Sequence, residues 1–277
     1  MATPKQLVKE SISKNINERL ETFKSKGARY FAKIFPAYPF IEKKRDELLI
    51  KFRLRKLEKV FLRVTPHIKD IRNLVTDLDE QTRVCACYLL FWKVMRRWEV
   101  LFLLARDGRN QEMLELLRSL HENLDLIMLF TSDKEEKNLK KWFEGEIIEA
   151  GKSREQYGEL LKVRPDTGEK FPAYDMKSFI YKLFSKYTHN AYPSVWDLIN
   201  PYTQEMDKDR IADYHWTRNN LDHLFIAMGT TIGQLRGFYT FLVGDYNKSD
   251  ELAKIDKLLP DTSTKEEMEE SIKKFKT

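Results

Sequence analysis

Residues 84–105 read VCACYLLFWKVMRRWEVLFLLA, and this stretch decides the fold because it is apolar on nearly every side of a helix. A helix that is apolar all round is buried, so the stretch predicts the central helix of a bundle. Lys93, Arg96, Arg97 and Glu99 interrupt it near its middle, which rules against a membrane span. We therefore expect no membrane partner for this chain.

Glycine and proline, which break helices, are scarce around this stretch. The 277 residues include 10 Gly and 9 Pro, about 3.6% and 3.2% of the chain. Typical usage is roughly 7% and 5%. Stretches without either residue run over 5–26, 40–65, 67–107, 109–144 and 202–228. Several of them show a 3.6-residue period and none alternates strictly. The predicted fold class is all-α, a helical bundle with long central helices and a basic helical N-terminal extension.

Composition divides the chain into three parts. We expect a basic helical extension over residues 1–65, a bundle core over 66–246 and a polar helical tail over 247–277. Within the core, residues 151–173 contain five of the glycines and prolines. That concentration of turn-forming residues predicts a surface loop that joins two halves of one domain.

Two further helices and two breaks follow from the pattern of the core. The apolar residues of 111–132 fall on one arc, as a core-facing helix requires. A long final helix is predicted from about residue 208 to residue 243. Thr65-Pro66 and Asp107-Gly108 are the expected breaks between helices.

The charge of the chain is concentrated in its first quarter. Residues 1–65 hold 17 Lys and Arg but only 7 Asp and Glu, an asymmetry that suits the phosphates of RNA, anionic lipid or an acidic partner. Aromatic residues alternate with these cations, as in proteins that bind single-stranded nucleic acid. The alternative is a solvated helix whose aromatic residues form its buried side. The nucleic-acid-binding candidates are Arg29, Lys33, Lys51, Arg53, Arg55 and Lys56.

Gly229, Gly233 and Gly237 recur every four residues and form one narrow stripe on the final helix. Each glycine inside a helix costs roughly 0.8–1 kcal/mol relative to alanine. The stripe therefore predicts a second helix that crosses at close range. That helix belongs either to the same chain or to the second copy in a homodimer.

Cys85 and Cys87 lie about 200° apart on a helix, so they cannot share a metal or bond to each other. We expect both to be core residues of a protein in a reducing compartment. The first twenty residues show no apolar leader, so the expected location is cytoplasmic. Common nucleotide, hydrolase and metal motifs are absent from the sequence. We therefore expect no cofactor and no metal.

Two polar groups supply candidate cleft residues. Arg118 and Glu122 lie one turn apart, on a stripe opposite the apolar arc of 111–132. This stripe is either a solvated, salt-bridged face or a ligand-binding cleft. His189 and Asn190 end another predicted helix, where a plain capping role is the alternative.

A third group, HWTRNNLDH, covers residues 215–223. Its Arg218, Asn219 and His223 resemble the Arg-x(4–6)-His signature of the HEPN superfamily (higher eukaryotes and prokaryotes nucleotide-binding). The resemblance implies a helical, metal-independent endoribonuclease in which Arg218 and His223 bind and activate the scissile phosphate. It also implies that Asn219 supports them and that two protomers pool their motifs in one cleft.

Helix geometry leaves a second interpretation of the same residues open. Arg218 and His223 are five positions apart, or about 140° around a straight helix. The enzyme therefore needs a kink, a helix end or a second protomer at this point. His215, Arg218 and Asp222 do share a face. They could form a structural ionic triad in which Asp222 pairs with Arg218, or they could line a cleft.

A second resemblance covers residues 80–230 and is to bacterial helical proteins of uncharacterised function, some of them linked to phage defence. It implies a polar cleft at Arg118, Glu122 and His189, but no reaction. Three functions follow as hypotheses. The first is a HEPN-like ribonuclease or RNA-acting defence protein. The second is a non-catalytic helical module that binds nucleic acid or a protein through residues 1–65. The third is a binder of small molecules or nucleotides at the polar cleft.

Overall fold

The computed structural model describes residues 35–132, 136–148, 197–203 and 205–259, and it confirms the all-α bundle. Among these residues, no helix is both long enough and apolar enough to cross a membrane. The helices of the described part are α1 (Tyr38–Asp70), α2 (Arg83–Arg106), α3 (Asn110–Ser132), α4 (Lys137–Phe143), α5 (Ile211–Phe238) and α6 (Tyr246–Asp256). A 3₁₀ turn (Ile71–Leu74) follows α1, and a π-helical turn (Tyr239–Val243) follows α5.

Helix α2 covers the apolar stretch that predicts it, but it forms one side of the bundle and not its centre, because Trp92, Val100 and Leu103 are exposed. The Thr82 side chain caps it by accepting a hydrogen bond from the Cys85 backbone N–H at 3.2 Å. Cys85 and Cys87 are both buried free thiols, as expected. Trp98 is fully buried, and its indole N–H donates to the Thr231 hydroxyl of α5 at 3.2 Å. This bond satisfies the one polar atom of the large side chain inside the core.

The predicted break at Asp107-Gly108 is confirmed. Gly108 has a φ of +69°, a conformation that L side chains rarely adopt. A Cβ added there would lie 2.9 Å from the Tyr214 ring. Arg210 donates to the Asp107 backbone oxygen at 2.7 Å, so the start of α5 caps the end of α2.

The predicted break at Thr65-Pro66 is wrong, because α1 continues through Pro66 to Asp70. A proline inside a helix removes one backbone hydrogen bond but does not end the helix when packing holds both sides. Val64 and Ile68, on either side of the proline, are each only 1% exposed. Pro66 itself faces solvent.

The described part of the basic segment, residues 35–65, is helical from Tyr38 onward and packs against the bundle core. Ile50, Leu54, Leu57, Val60 and Val64 follow one another at steps of three or four residues and are all buried. They form a stripe that packs into the same apolar core as α2 and α5. The basic residues therefore occupy the outer side of a helix that the fold needs.

The four long helices form a ring in which α1 and α3 each pack against both α2 and α5. Contacts at both ends show that α1 and α5 run parallel: Lys43 donates to the Asp209 backbone oxygen at 2.6 Å, and the Tyr239 hydroxyl donates to the His67 backbone oxygen. Asn220 of α5 donates to Asn110 of α3 at 2.8 Å inside the core. This arrangement places the polar residues near the start of α5 beside the first half of α1.

The glycine stripe meets no crossing helix along most of its length within the described residues. A Cβ at Gly229 would lie 3.6 Å from Leu259. A Cβ at Gly233 or Gly237 would have no neighbouring atom within 4 Å. The close crossing predicted from the sequence is therefore absent at the last two positions in the part of the chain that the structure describes.

Gly233→Ala should raise the free energy of unfolding by about 0.8–1 kcal/mol, because alanine is the better helix former and the site is exposed. Urea denaturation measures this change. Gly108→Ala is the control and should be destabilising, because its φ is positive and the Tyr214 ring is close. A destabilised Gly233→Ala, or a loss of dimer mass in light scattering, would show instead that a second copy packs on the stripe.

Candidate functional site

The residues of the HEPN-like motif lie on an unbroken helix. Helix α5 is regular from Ile211 to Phe238, with neither a helix end nor a proline between Arg218 and His223. Their side chains therefore leave the helix about 140° apart. Within one chain, the structure does not bring this pair together.

Arg218 turns towards α1, where it meets a carboxylate that the sequence analysis did not select. Asp46 is only 1% exposed. Arg218 Nη1 donates to Asp46 Oδ1 at 2.6 Å, and Arg45 Nη2 donates to the same oxygen at 3.2 Å. His215 Nδ1 lies 3.5 Å from Asp46 Oδ2. A buried carboxylate thus holds two arginines and a histidine, and we call these four residues the Asp46 cluster.

Asn219 closes this cluster on its solvent side. Its Oδ1 accepts hydrogen bonds from Arg218 Nε and Nη2, at 3.3 and 2.9 Å. Its Nδ2 lies 3.1 Å from His215 Nε2. His215, Arg218 and Asn219 are therefore each bound to another side chain, as in a network that fixes two helices.

The charges of the cluster favour an ionised Asp46. Burial by itself raises the pKa of a carboxyl group. Here the contacts with His215, Arg218 and Arg45 outweigh burial, and the pKa of Asp46 lies below its ordinary value of 3.8. The carboxylate is therefore charged at neutral pH and anchors the arginines.

The predicted triad of Asp222, Arg218 and His215 is wrong about its carboxylate. Asp222 forms an ion pair with Arg53 of α1, and the Arg53 guanidinium lies 5.2 Å from the centre of the Phe225 ring. Asp46 takes the place that was predicted for Asp222. Arg53, a nucleic-acid-binding candidate, is thus engaged between α1 and α5.

His223 is half-buried on the other side of α5. Burial lowers its pKa to about 4, although the nearby Asp222 carboxylate acts in the opposite direction. At neutral pH the imidazole is therefore uncharged. It is a weak general base at that pH, because its pKa lies well below neutrality. General acid–base catalysis works best when the pKa of the group is near the working pH.

The polar stripe of α3 is salt-bridged, as one of its two interpretations predicts, but much of it is turned away from solvent. Arg118 Nε donates to Glu122 Oε1 at 3.2 Å, and the Arg118 side chain is only 18% exposed. His121 and Asp125 on the same side are buried, at 7% and 3% exposure. Because charged groups can pair with one another, a polar stripe does not have to face water. Arg97 of α2 also reaches α3 on this side, where it donates a hydrogen bond to Ser119. From the sequence, its charge indicated only that α2 does not span a membrane.

The remaining candidates of the basic segment lie on the outside of α1. Lys51 is exposed and pairs with Glu47 at 2.6 Å. Lys56 is exposed and its Nζ lies 5.6 Å from the centre of the Phe52 ring. Arg55 is exposed as well. Sequence reasoning could have added Lys59 and Arg63 to this group, because they repeat the same helical spacing.

Several predicted features lie outside the described residues, and the structure does not test them. They are Arg29, Lys33, His189, Asn190, the loop 151–173 and the end of the tail from residue 260. Among the residues that are described, no group of three or more His, Cys, Asp or Glu is placed to hold a metal ion.

Fold and site together define an all-α bundle with a buried ionic cluster between two parallel helices. Comparison of the chain with protein-family models, with curated proteins and with solved structures finds no match. The functional argument therefore depends on the geometry alone.

Proposed function

We propose that this protein is a non-catalytic helical module that binds single-stranded RNA on the outer face of α1. The observation that carries the proposal is a row of exposed residues on that face. With about 100° per residue, they fall within an arc of about 100°. The row consists of Phe52, Arg55, Lys56, Lys59 and Arg63, all of them exposed, and we call it the α1 basic row.

The α1 basic row is not neutralised by acidic residues of the described chain. Glu58, the carboxylate within the same stretch, lies to one side and pairs with Arg106 of α2. Arg55, Lys59 and Arg63 form no ion pair with any of the described residues. Four neighbouring cations without carboxylates attract a polyanion, and binding releases the counterions of that polyanion.

The exposed ring of Phe52 favours single strands over duplexes. Phe52 is 61% exposed, although phenylalanine side chains are usually buried. Unpaired bases stack on aromatic rings that stand beside cations, and this stacking tolerates any sequence. The row therefore combines charge and stacking on one face, without a catalytic group.

Binding of a single-stranded RNA oligonucleotide should weaken steeply with salt. If the four cations of the row each neutralise one phosphate, the slope of log K against log salt is about −3. The double variant Lys59→Gln/Arg63→Gln should bring the slope to about −1.5. Fluorescence anisotropy at four salt concentrations measures both slopes. Point variants are needed because a deletion of residues 1–65 would remove a core helix.

Lys93→Gln is the matched control, because Lys93 is an exposed lysine of α2 that lies outside the row. Its slope should equal that of the wild-type protein. The proposal fails if the wild type does not bind RNA, or if Lys93→Gln changes the slope as much as the double variant does. Phe52→Ala should weaken binding without changing the slope, since stacking carries no charge.

The ribonuclease that the HEPN resemblance implies remains a second proposal, and it requires two copies of the chain. One copy would have to supply Arg218 and the other His223, in a cytoplasmic homodimer. Incubation of RNA with the protein in EDTA tests this activity directly. Cleavage by the wild type that His223→Ala abolishes would support the ribonuclease, and intact RNA would count against it.

A further inference from the structure

Arg97 is a half-buried arginine whose guanidinium is only partly used by the described residues. It lies on α2 and points towards α3, where its Nη2 donates to the Ser119 hydroxyl at 2.8 Å. Its Nη1 is buried and has no hydrogen-bond partner. No carboxylate of the described residues lies within ion-pair distance of it, whereas Arg106 and Arg218 each hold one.

A guanidinium in this position is costly for the folded protein. Burial lowers the pKa of Arg97, and only the more distant Glu122 opposes that effect. Arginine nevertheless keeps its proton in proteins. Buried charges are normally paired or bound to an ion, so the unused Nη1 indicates that an anion belongs beside it.

The surroundings of Nη1 contain further donors. The hydroxyl of Ser119 accepts from Arg97 and still has its own hydrogen to donate. Arg118 directly precedes Ser119 on α3 and is paired with Glu122.

We propose that Arg97 and Ser119, with Arg118 beside them, bind the phosphate group of a small molecule between α2 and α3. The two donors come from different helices, Arg97 from α2 and Ser119 from α3. The tetrahedral oxygens of phosphate can accept from such donors, and arginine is well suited to phosphate. This site is separate from the α1 basic row and does not depend on RNA binding.

Thermal unfolding in sodium phosphate, compared with sodium chloride at equal ionic strength, tests the site. Phosphate should raise the Tm of the wild type, because a ligand that binds only the folded state stabilises it. Arg97→Met keeps the length of the side chain and removes the charge. It should weaken phosphate affinity at least tenfold, the effect of losing a hydrogen bond to a charged group.

Arg96→Met is the matched control, since Arg96 is the neighbouring arginine on α2 but its side chain is 71% exposed and pairs with Glu99. It should keep the full response to phosphate. Ser119→Ala removes the second donor and provides a second variant should Arg97→Met fail to fold. A wild type that does not respond to phosphate would overturn the proposal, as would an equal loss of response in Arg96→Met.

AMP and adenosine distinguish the possible sources of the phosphate group. An AMP response larger than that of inorganic phosphate would support a nucleotide as the ligand. Equal responses would support free phosphate. A response to adenosine as large as that to AMP would overturn the assignment, because adenosine carries no phosphate.

Discussion

Asp46→Ala should lower the free energy of unfolding by about 3 kcal/mol, the lower end of the range for breaking a buried ion pair. The substitution removes the carboxylate that holds Arg218 and His215, whose side chains are only 23% and 16% exposed. Both groups then stay inside the protein without their charge partner. Urea denaturation of the two proteins measures the difference.

Asp222→Ala is the control for this prediction. The Asp222 side chain is 55% exposed and that of its partner Arg53 is 33% exposed. Exposed ion pairs contribute about 0–1 kcal/mol, so this variant should be nearly as stable as the wild type. Asp46→Asn keeps the size of the side chain and should lose most of the same stability. Equal effects of Asp46→Ala and Asp222→Ala would contradict the assignment of the carboxylate.

Stability should also fall by about 3 kcal/mol between pH 6.5 and pH 4 because of His223. Its pKa is about 4 in the folded protein, against 6.5 for an ordinary histidine. In this pH range the unfolded chain binds a proton that the folded chain does not. The stability that the neutral His223 contributes is therefore fully present above pH 6.5. It is lost progressively as the pH falls to the folded pKa of about 4.

Denaturation curves at several pH values, on the wild type and on His223→Gln, isolate this contribution. The variant should show a shallower decline between pH 6.5 and pH 4. Some decline should remain, because burial also lowers the pKa of His67. An NMR titration gives the pKa of His223 directly. A value near 6.5 would contradict the buried, neutral imidazole and would restore it as a candidate acid–base group.

The elements that the sequence predicts best are those whose signal is local. The apolar run of α2, the amphipathic arc of α3 and the turn at Gly108 each depend on neighbouring residues, and all three are confirmed. Pro66 was misleading because its effect depends on packing. The buried residues on both sides of it hold the helix together across the missing hydrogen bond.

The candidate site was harder to predict because its carboxylate comes from another part of the chain. Asp46 lies 172 positions before Arg218. Helical spacing shows that His215 and Arg218 share a face of α5, but it does not show which helix covers that face. The ion pair of Arg53 with Asp222 is hidden from the sequence for the same reason, because helical spacing does not show that a residue of the basic segment turns to a carboxylate of α5.

A double-mutant cycle between Asp46 and Arg218 tests most directly whether α1 supplies the carboxylate of this site. The two single variants to alanine and the double variant give the coupling energy, which we expect to be about 2 kcal/mol for residues in one buried network. The parallel cycle between Asp222 and Arg218 should give a coupling near zero. Additive effects of Asp46 and Arg218, together with strong coupling between Asp222 and Arg218, would contradict the account.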